Sequence, residues 1–296
     1  MGSSPYPFTM NFNKYRTFLA MSRFARFFAF PGRAKSVFRF NLKLLTTSAR
    51  WLLKSREYTN YTYHLSPRNL KHLAHWVAAV TDTSPLDCEK YILEVLMDED
   101  LNHQVLEATL HSKRAGTADR EIRIGRRAGW YAIIRAVKPL HVVETGTDKG
   151  LGSIVIAAAL LRNGSGKLTT IDINPSSGYL ANMGKYPSVC NFEIGDSLAI
   201  LAGITSPIDI FIHDSDHSPA HEAGEYAMVE NLLSERAIVI SDNAHATDEL
   251  LNWSARRNWY FAFFAENPLN HWYPGGGIGA AWRNRNTDQI LESRLP

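Results

Sequence analysis

The chain has 296 residues, of which 45% are apolar and 21% charged, with a formal net charge of +3. That length suits one large α/β domain with a smaller appendage, because single cores run to about 250 residues before they split. No apolar run reaches the roughly 20 residues that a membrane-spanning helix needs. The two cysteines, Cys88 and Cys190, stand in no metal or redox spacing, which fits a reducing compartment and gives a cytoplasmic location as the expectation.

Residues 1–57 read as a basic, aromatic arm. Residues 1–56 carry eleven Lys or Arg and no Asp or Glu, which leaves 21 basic against 29 acidic groups in the rest. The same stretch holds nine of the fourteen Phe, several interleaved with base, as at Arg26-Phe27-Phe28. Such an arm predicts contact with an anionic membrane surface through residues 1–56, and hence a location peripheral to a membrane. The alternative is a helix docked on the main domain or on a second copy in a homo-oligomer. Phosphate-rich partners would meet the same charge, although no specific nucleic acid is indicated. Arg23 and Arg26 interrupt the apolar stretch and argue against a secretory signal, while an Arg-rich organellar presequence stays open. Tyr6 stands where a myristoylation site needs Ser or Thr.

Residues 58–120 predict a small helical cap. Ser66-Pro67 opens a helix through Leu70, Leu73, Trp76 and Val77, and Ser84-Pro85 opens another through Tyr91, Leu93, Val95 and Leu96. Residues 121–296 then alternate short apolar strands with helices, the signature of a mostly parallel sheet covered on both faces. Strands are expected at 140–145, 167–172, 190–194, 208–213 and 236–241. Tyr260–Phe264 and Gly277–Trp282 are expected to close the sheet.

The first strand ends in Glu144-Thr-Gly146-Thr147-Asp148-Lys-Gly150. Glycines there let the backbone turn tightly and pass close to a ligand, while the following helix offers free N–H donors. Alone, such a turn fits several nucleotide-binding proteins. The second strand, however, ends at Asp172, about 20 residues on, where a carboxylate can accept from both ribose hydroxyls. The third ends in Asp196-Ser197, which could take an adenine amino group. A P-loop is excluded, because Leu168 stands where Gly164-Ser-Gly166-Lys167 would need Ser or Thr.

This ordered set, over residues 122 to 284, resembles the class I S-adenosylmethionine-dependent methyltransferases. Glu144, Gly146 and Gly150 match the first motif, and Asp148 replaces its middle glycine, as in the catechol-type O-methyltransferases. The resemblance implies a Rossmann-like methyltransferase fold, with an antiparallel closing strand and an N-terminal helical subdomain. By the same resemblance Glu144 and Gly146 would hold the methionine part of the cofactor, with Thr147 and Gly150 in the same turn. Asp172 would hold the ribose, Asp196 with Ser197 the adenine, and Asp214 would help to position the whole.

The fourth strand runs into His213-Asp214-Ser-Asp216-His217 and the fifth into Ser241-Asp242-Asn243. Asp214, Asp242 and Asn243 would meet at the sheet's carboxyl edge, a donor set suited to Mg2+. The same positions match the metal ligands of cation-dependent catechol-type and sugar O-methyltransferases, and His217 matches their general base. A neutral-range histidine suits that task. The chemistry implied is transfer of the sulfonium methyl to a hydroxyl of a sugar, glycolipid or polyphenol. The competing readings are a metal-independent N- or O-methyltransferase, and a membrane-associated scaffold with a vestigial domain. In the bland alternative, Asp242-Asn243 caps a helix at Thr247 to Trp253. His213, His217 and His221 recur every four residues, but a strand end at His213 breaks the zinc geometry that spacing suggests. Arg126, Arg127 and Trp130 read as surface cations beside a packed aromatic or as part of the cofactor or acceptor mouth, His245 as a loop residue or an acceptor-site one, and His271–Gly279 as a Gly-rich turn into the last strand or as rings that shape the substrate pocket.

Overall fold

The computed structural model describes residues 25–57 and 62–283. The chain divides into two compact units, Met1–Lys54 and Ser55–Pro296. In the first, α1 (Ala25–Lys54) is a single helix that contains Pro31 and exposes Phe30, Phe38, Phe40, Leu52 and Leu53.

The expected anionic-membrane partner for residues 1–56, and with it the location peripheral to a membrane, are corrected here. Among the described residues no helix is long and apolar enough to cross a membrane. Arg33, Lys35, Arg39, Lys43, Arg50 and Lys54 are spread along the whole of α1, so it offers no uninterrupted apolar segment. Residues 1–24 lie outside the described part.

The second unit opens with α2 (Pro67–Thr81), α3 (Pro85–Leu96) and α4 (Glu99–Leu110). Ser66 caps α2 by accepting from the Asn69 amide, and Pro67 costs nothing at a first helical position, where the N–H would be unpaired anyway. Asp98 caps α4 through the Leu101 amide at 2.9 Å.

Then follow α5 (Arg127–Val137), β1 (His141–Thr145), α6 (Leu151–Asn163), β2 (Lys167–Asp172), β3 (Cys190–Ile194), α7 (Ser197–Leu201), β4 (Ile208–His213), α8 (Pro219–Val229), β5 (Leu233–Ser241), α9 (Glu249–Arg256), β6 (Trp259–Ala265) and β7 (Gly277–Arg283). The sheet order is β3-β2-β1-β4-β5-β7-β6. Among the described strands, β7 runs antiparallel to β5 and to β6, and the other neighbouring strands of the sheet are parallel. The expected α/β architecture is therefore present.

Alternation along each strand separates two cores, because successive side chains point to opposite faces. Val142, Ile210, Ile212, Ile238 and Ile240 pack with Leu73, Trp130, Ile133 and Ile154. Val143, Phe211 and Val239 face the other side, with Tyr226, Leu250 and Trp253. Burial of each such aliphatic side chain is worth about 1.5–3 kcal/mol. The cap helices share the first core. A Cβ on Gly129 would lie 2.8 Å from Leu73 Cδ1, so α2 and α5 cross closely because α5 carries a glycine there.

Candidate active site

Register brings the site together. Thr145 pairs with Ile171 on one side and with His213 on the other, and His213 pairs with Ser241. One residue further on, Gly146, Asp172, Asp214 and Asp242 all emerge at the carboxyl edge, where open parallel sheets bind ligands. Gly146 has φ +88°, and a Cβ there would lie 1.9 Å from the Asp214 carbonyl oxygen. The turn after β1 and the turn after β4 touch because the residue between them has no side chain.

A cavity of about 500 Å³ opens at this edge, walled by Gly146, Asp148, Asp172, Asp196, Ser197 and Asp214 among others. Asp172 accepts from the Asp148 and Asn174 amides, both at 2.7 Å. These bonds fix its carboxylate while two backbone donors leave lone pairs for a ligand. Asp148, at φ +45°, turns its side chain to Arg114 at 2.8 Å. Burial raises its carboxyl pKa, but the Arg114 guanidinium outweighs that and holds it below the usual range. Asp196 is engaged as the cap of α7, accepting from Ala199 N at 2.9 Å.

Glu144, Thr147 and Gly150 are not on the cavity wall. Glu144, expected to hold the methionine part, turns its carboxylate into the protein, where it is 1% exposed. Its Oε2 accepts from Ser153 Oγ at 2.5 Å and Thr170 Oγ1 at 2.7 Å. Burial raises its pKa to about 7 against these two hydroxyls. Thr147 is likewise bound inward, to Thr170. Gly150, at φ +91°, starts α6.

Asp214, His217, Asp242 and Asn243 do meet. Asp214 and Asp242 lie near enough for each carboxyl to shift the titration of the other. His217 Nε2 lies 3.8 Å from Asp214 Oδ1 and 2.7 Å from Asn243 Nδ2. An amide nitrogen can only donate, so that His217 nitrogen accepts. Burial and the neighbouring His213 lower the His217 pKa below 6.5. The bland capping alternative fails, because Asp248, not Asp242, stands at the start of α9.

These residues do not fit the expected Mg2+ site. Asp242 is fully buried and both its oxygens are taken by Arg126, Nε on Oδ1 at 2.6 Å and Nη2 on Oδ2. Arg127 Nη2 sits 3.4 Å from Asp214 Oδ2. Among the described residues no group of three or more His, Cys, Asp or Glu could hold a metal ion. Burial pushes the Asp242 carboxyl pKa up, but the Arg126 charge outweighs that and takes it well below the usual range. Burial and the adjacent Asp242 push Asp214 the other way. The Arg126-Arg127 pair is thus no surface feature: Arg126 is 3% exposed and Trp130 is wholly buried.

Two parts of this network were not legible in the sequence. Arg126 Nη1 also reaches Tyr63 OH at 3.2 Å and Glu266 Oε2 at 3.4 Å, partners 63 and 140 residues away. The only local signal was a pair of cations directly before an apolar helix. Glu225, in mid-α8, is a buried hub that accepts from Thr145, Ser197 and Ser215 and pairs with His213 Nδ1 at 2.7 Å. Burial raises its pKa, but the hydrogen bond from His213 and those from the hydroxyls bring it down to about 2. Ser197 is therefore committed to Glu225 as well as lining the cavity. His245 packs under the Gly-rich segment, where a Cβ on Gly276 would lie 2.4 Å from its ring, and that segment leads into β7 as expected.

Residues 143–244, from β1 to just past β5, match the family model described as a methyltransferase domain. No curated protein matches the sequence. Among solved structures, an inferred O-methyltransferase from Klebsiella pneumoniae is 15% identical, with 66% of this chain and 95% of that one covered at a TM-score of 0.52. An O-methyltransferase from Bacillus cereus in complex with SAH is 14% identical, with 69% and 100% covered and the same TM-score. At such identities the likeness is one of fold. It agrees with the expected Rossmann-like methyltransferase fold with an N-terminal helical subdomain.

Proposed function

We propose that this S-adenosylmethionine-dependent methyltransferase transfers its methyl group to a hydroxyl of a small molecule, a sugar, glycolipid or polyphenol, with His217 as the general base. The observation that carries the reading is the meeting of a fixed Asp172 carboxylate, a side-chain-free Gly146 and a neutral His217 at one sheet edge. Asp172 would hold the ribose hydroxyls, Gly146 would let the methionine part pass close to the backbone, and the Asp196–Ser197 turn would border the adenine. When bound, the cofactor supplies an electrophilic sulfonium methyl, whose C–S bond breaks as the new C–O bond forms. The acceptor's proton goes to His217 Nε2, the nitrogen that now accepts from Asn243. The donor set does not suit Mg2+, so no step passes through a metal. That observation favours the metal-independent O-methyl transfer over the cation-dependent form.

The test is methyl transfer from labelled cofactor to a panel of sugar, glycolipid and phenolic hydroxyls, followed as a function of pH. A base must be neutral to act, and burial lowers the His217 pKa. Turnover should therefore be flat through neutrality and fall only as pH drops below 6.5. His217→Ala should lose about 100-fold or more in kcat and with it the acid limb. Cofactor affinity should be unchanged. An acid limb that survives in His217→Ala would place the base elsewhere.

A further inference from the structure

We propose that the buried guanidinium of Arg126 stands where the resembled cation-dependent enzymes hold a divalent metal, so that this chain builds its active-site positive charge into the polypeptide. The inference rests on the methyltransferase reading and deepens it, by naming what replaces the metal.

Four observations carry it. Arg126 grips Asp242 with two nitrogens, one on each carboxylate oxygen, so the carboxylate presents no free edge to an ion. A guanidinium stays protonated in proteins, and its planar fork matches a carboxylate in a way a point charge cannot. The fork is itself fixed on its far side by Tyr63 and Glu266, with the Arg and Glu side chains 4% and 0% exposed. A second positive group, Arg127, borders Asp214. A divalent ion entering between Asp214 and Asp242 would have to break a buried bidentate pair and then sit against two guanidinium charges. The third expected ligand, Asn243, is turned with its amide nitrogen to His217.

Arg126 then works as a positioning residue. It fixes Asp242 one residue past β5, in the place next to Asp214, whose backbone closes on Gly146, and it does so without the exchangeable ion of the resembled enzymes. Glu266 Oε1 and Arg127 Nε have no hydrogen-bond partner among the described residues.

The experiment is a Mn2+ titration followed by electron paramagnetic resonance, beside calorimetric titration of S-adenosylhomocysteine with EDTA and with Mg2+. The wild-type chain should leave the free-ion Mn2+ signal intact, and the ligand affinity should agree within about twofold in the two buffers. Arg126→Ala, which frees the carboxylates of Asp242 and Glu266, should gain Mn2+ binding if thermal melting shows it folded. A one-to-one Mn2+ signal in the wild type that Asn243→Ala abolishes would overturn the inference. So would a ligand affinity that needs Mg2+, or a folded Arg126→Ala that binds no Mn2+. The wild-type titration decides even if that variant does not fold. Failure of the methyltransferase reading looks different: no S-adenosylhomocysteine binding in either buffer.

Discussion

Asp242→Ala is expected to lower the unfolding free energy by about 3–5 kcal/mol, the usual cost of stranding one member of a buried ion pair. The reason is specific to this site. Arg126 is 3% exposed and cannot shed its proton, so it keeps its charge after its main partner is gone. Tyr63 offers only a hydroxyl, and Glu266 holds a single contact at 3.4 Å. At roughly 2–4 °C per kcal/mol for a domain of this size, the melting temperature should fall by roughly 10 °C. Removing both charges, as Arg126→Met with Asp242→Leu, should recover part of the loss, because buried pairs are often replaceable by apolar groups of similar volume. The double variant should still be inactive, since Asp214 has lost its neighbour. An Asp242→Ala chain that melts with the wild type would mean that the pair is not buried as described.

Gly146→Ala should abolish cofactor binding. At φ +88° a side chain is strained in any case, and here the added carbon would meet the Asp214 carbonyl oxygen at 1.9 Å and its carbon at 2.3 Å. Both contacts are backbone, so neither can rotate away. The turn after β1 must separate from the turn after β4, and the cavity between them loses its wall. Calorimetry should show an affinity for S-adenosylhomocysteine reduced by at least about 100-fold, equivalent to about 3 kcal/mol. The unfolding transition should move down as well. Wild-type affinity in this variant would show that the two turns are not in contact.

The parts of the molecule that were legible in the sequence are those fixed by local pattern. Lys167–Asp172, Cys190–Ile194 and Ile208–His213 were read to the residue, because each is a short apolar run ended by turn residues. Parallel register does the rest: once those runs are adjacent strands, their final carboxylates must share an edge. Asp214 and Asp242, one residue past β4 and β5, meet for that reason, and the loops that follow bring in His217 and Asn243. What the meeting is for was less legible. The pattern of ligands resembled a metal site, yet the group that fills it comes from Arg126, just ahead of α5, and no periodicity marks it. Glu144 shows the same limit from the other side. Its position matches a motif, but Ser153 and Thr170 draw its carboxylate inward, and neither neighbour could be known before α6 and β2 were packed. α4 passed unseen because only Leu101, Val105 and Ala108 are buried along it, too sparse a stripe to stand out. Glu225 reads as an ordinary helical glutamate until Thr145, Ser197, His213 and Ser215 are brought around it.

Binding of S-adenosylmethionine through Asp172, in the cavity at the ends of β1, β2 and β3, is the proposal that a calorimetric titration of S-adenosylhomocysteine puts to the test. One-to-one binding by the wild-type chain is expected. Asp172→Ala should weaken it by about 100-fold, since each hydrogen bond to a charged acceptor is worth about 1.5–3 kcal/mol. No heat of binding to the wild type at millimolar ligand, or full affinity in a folded Asp172→Ala chain, would contradict it.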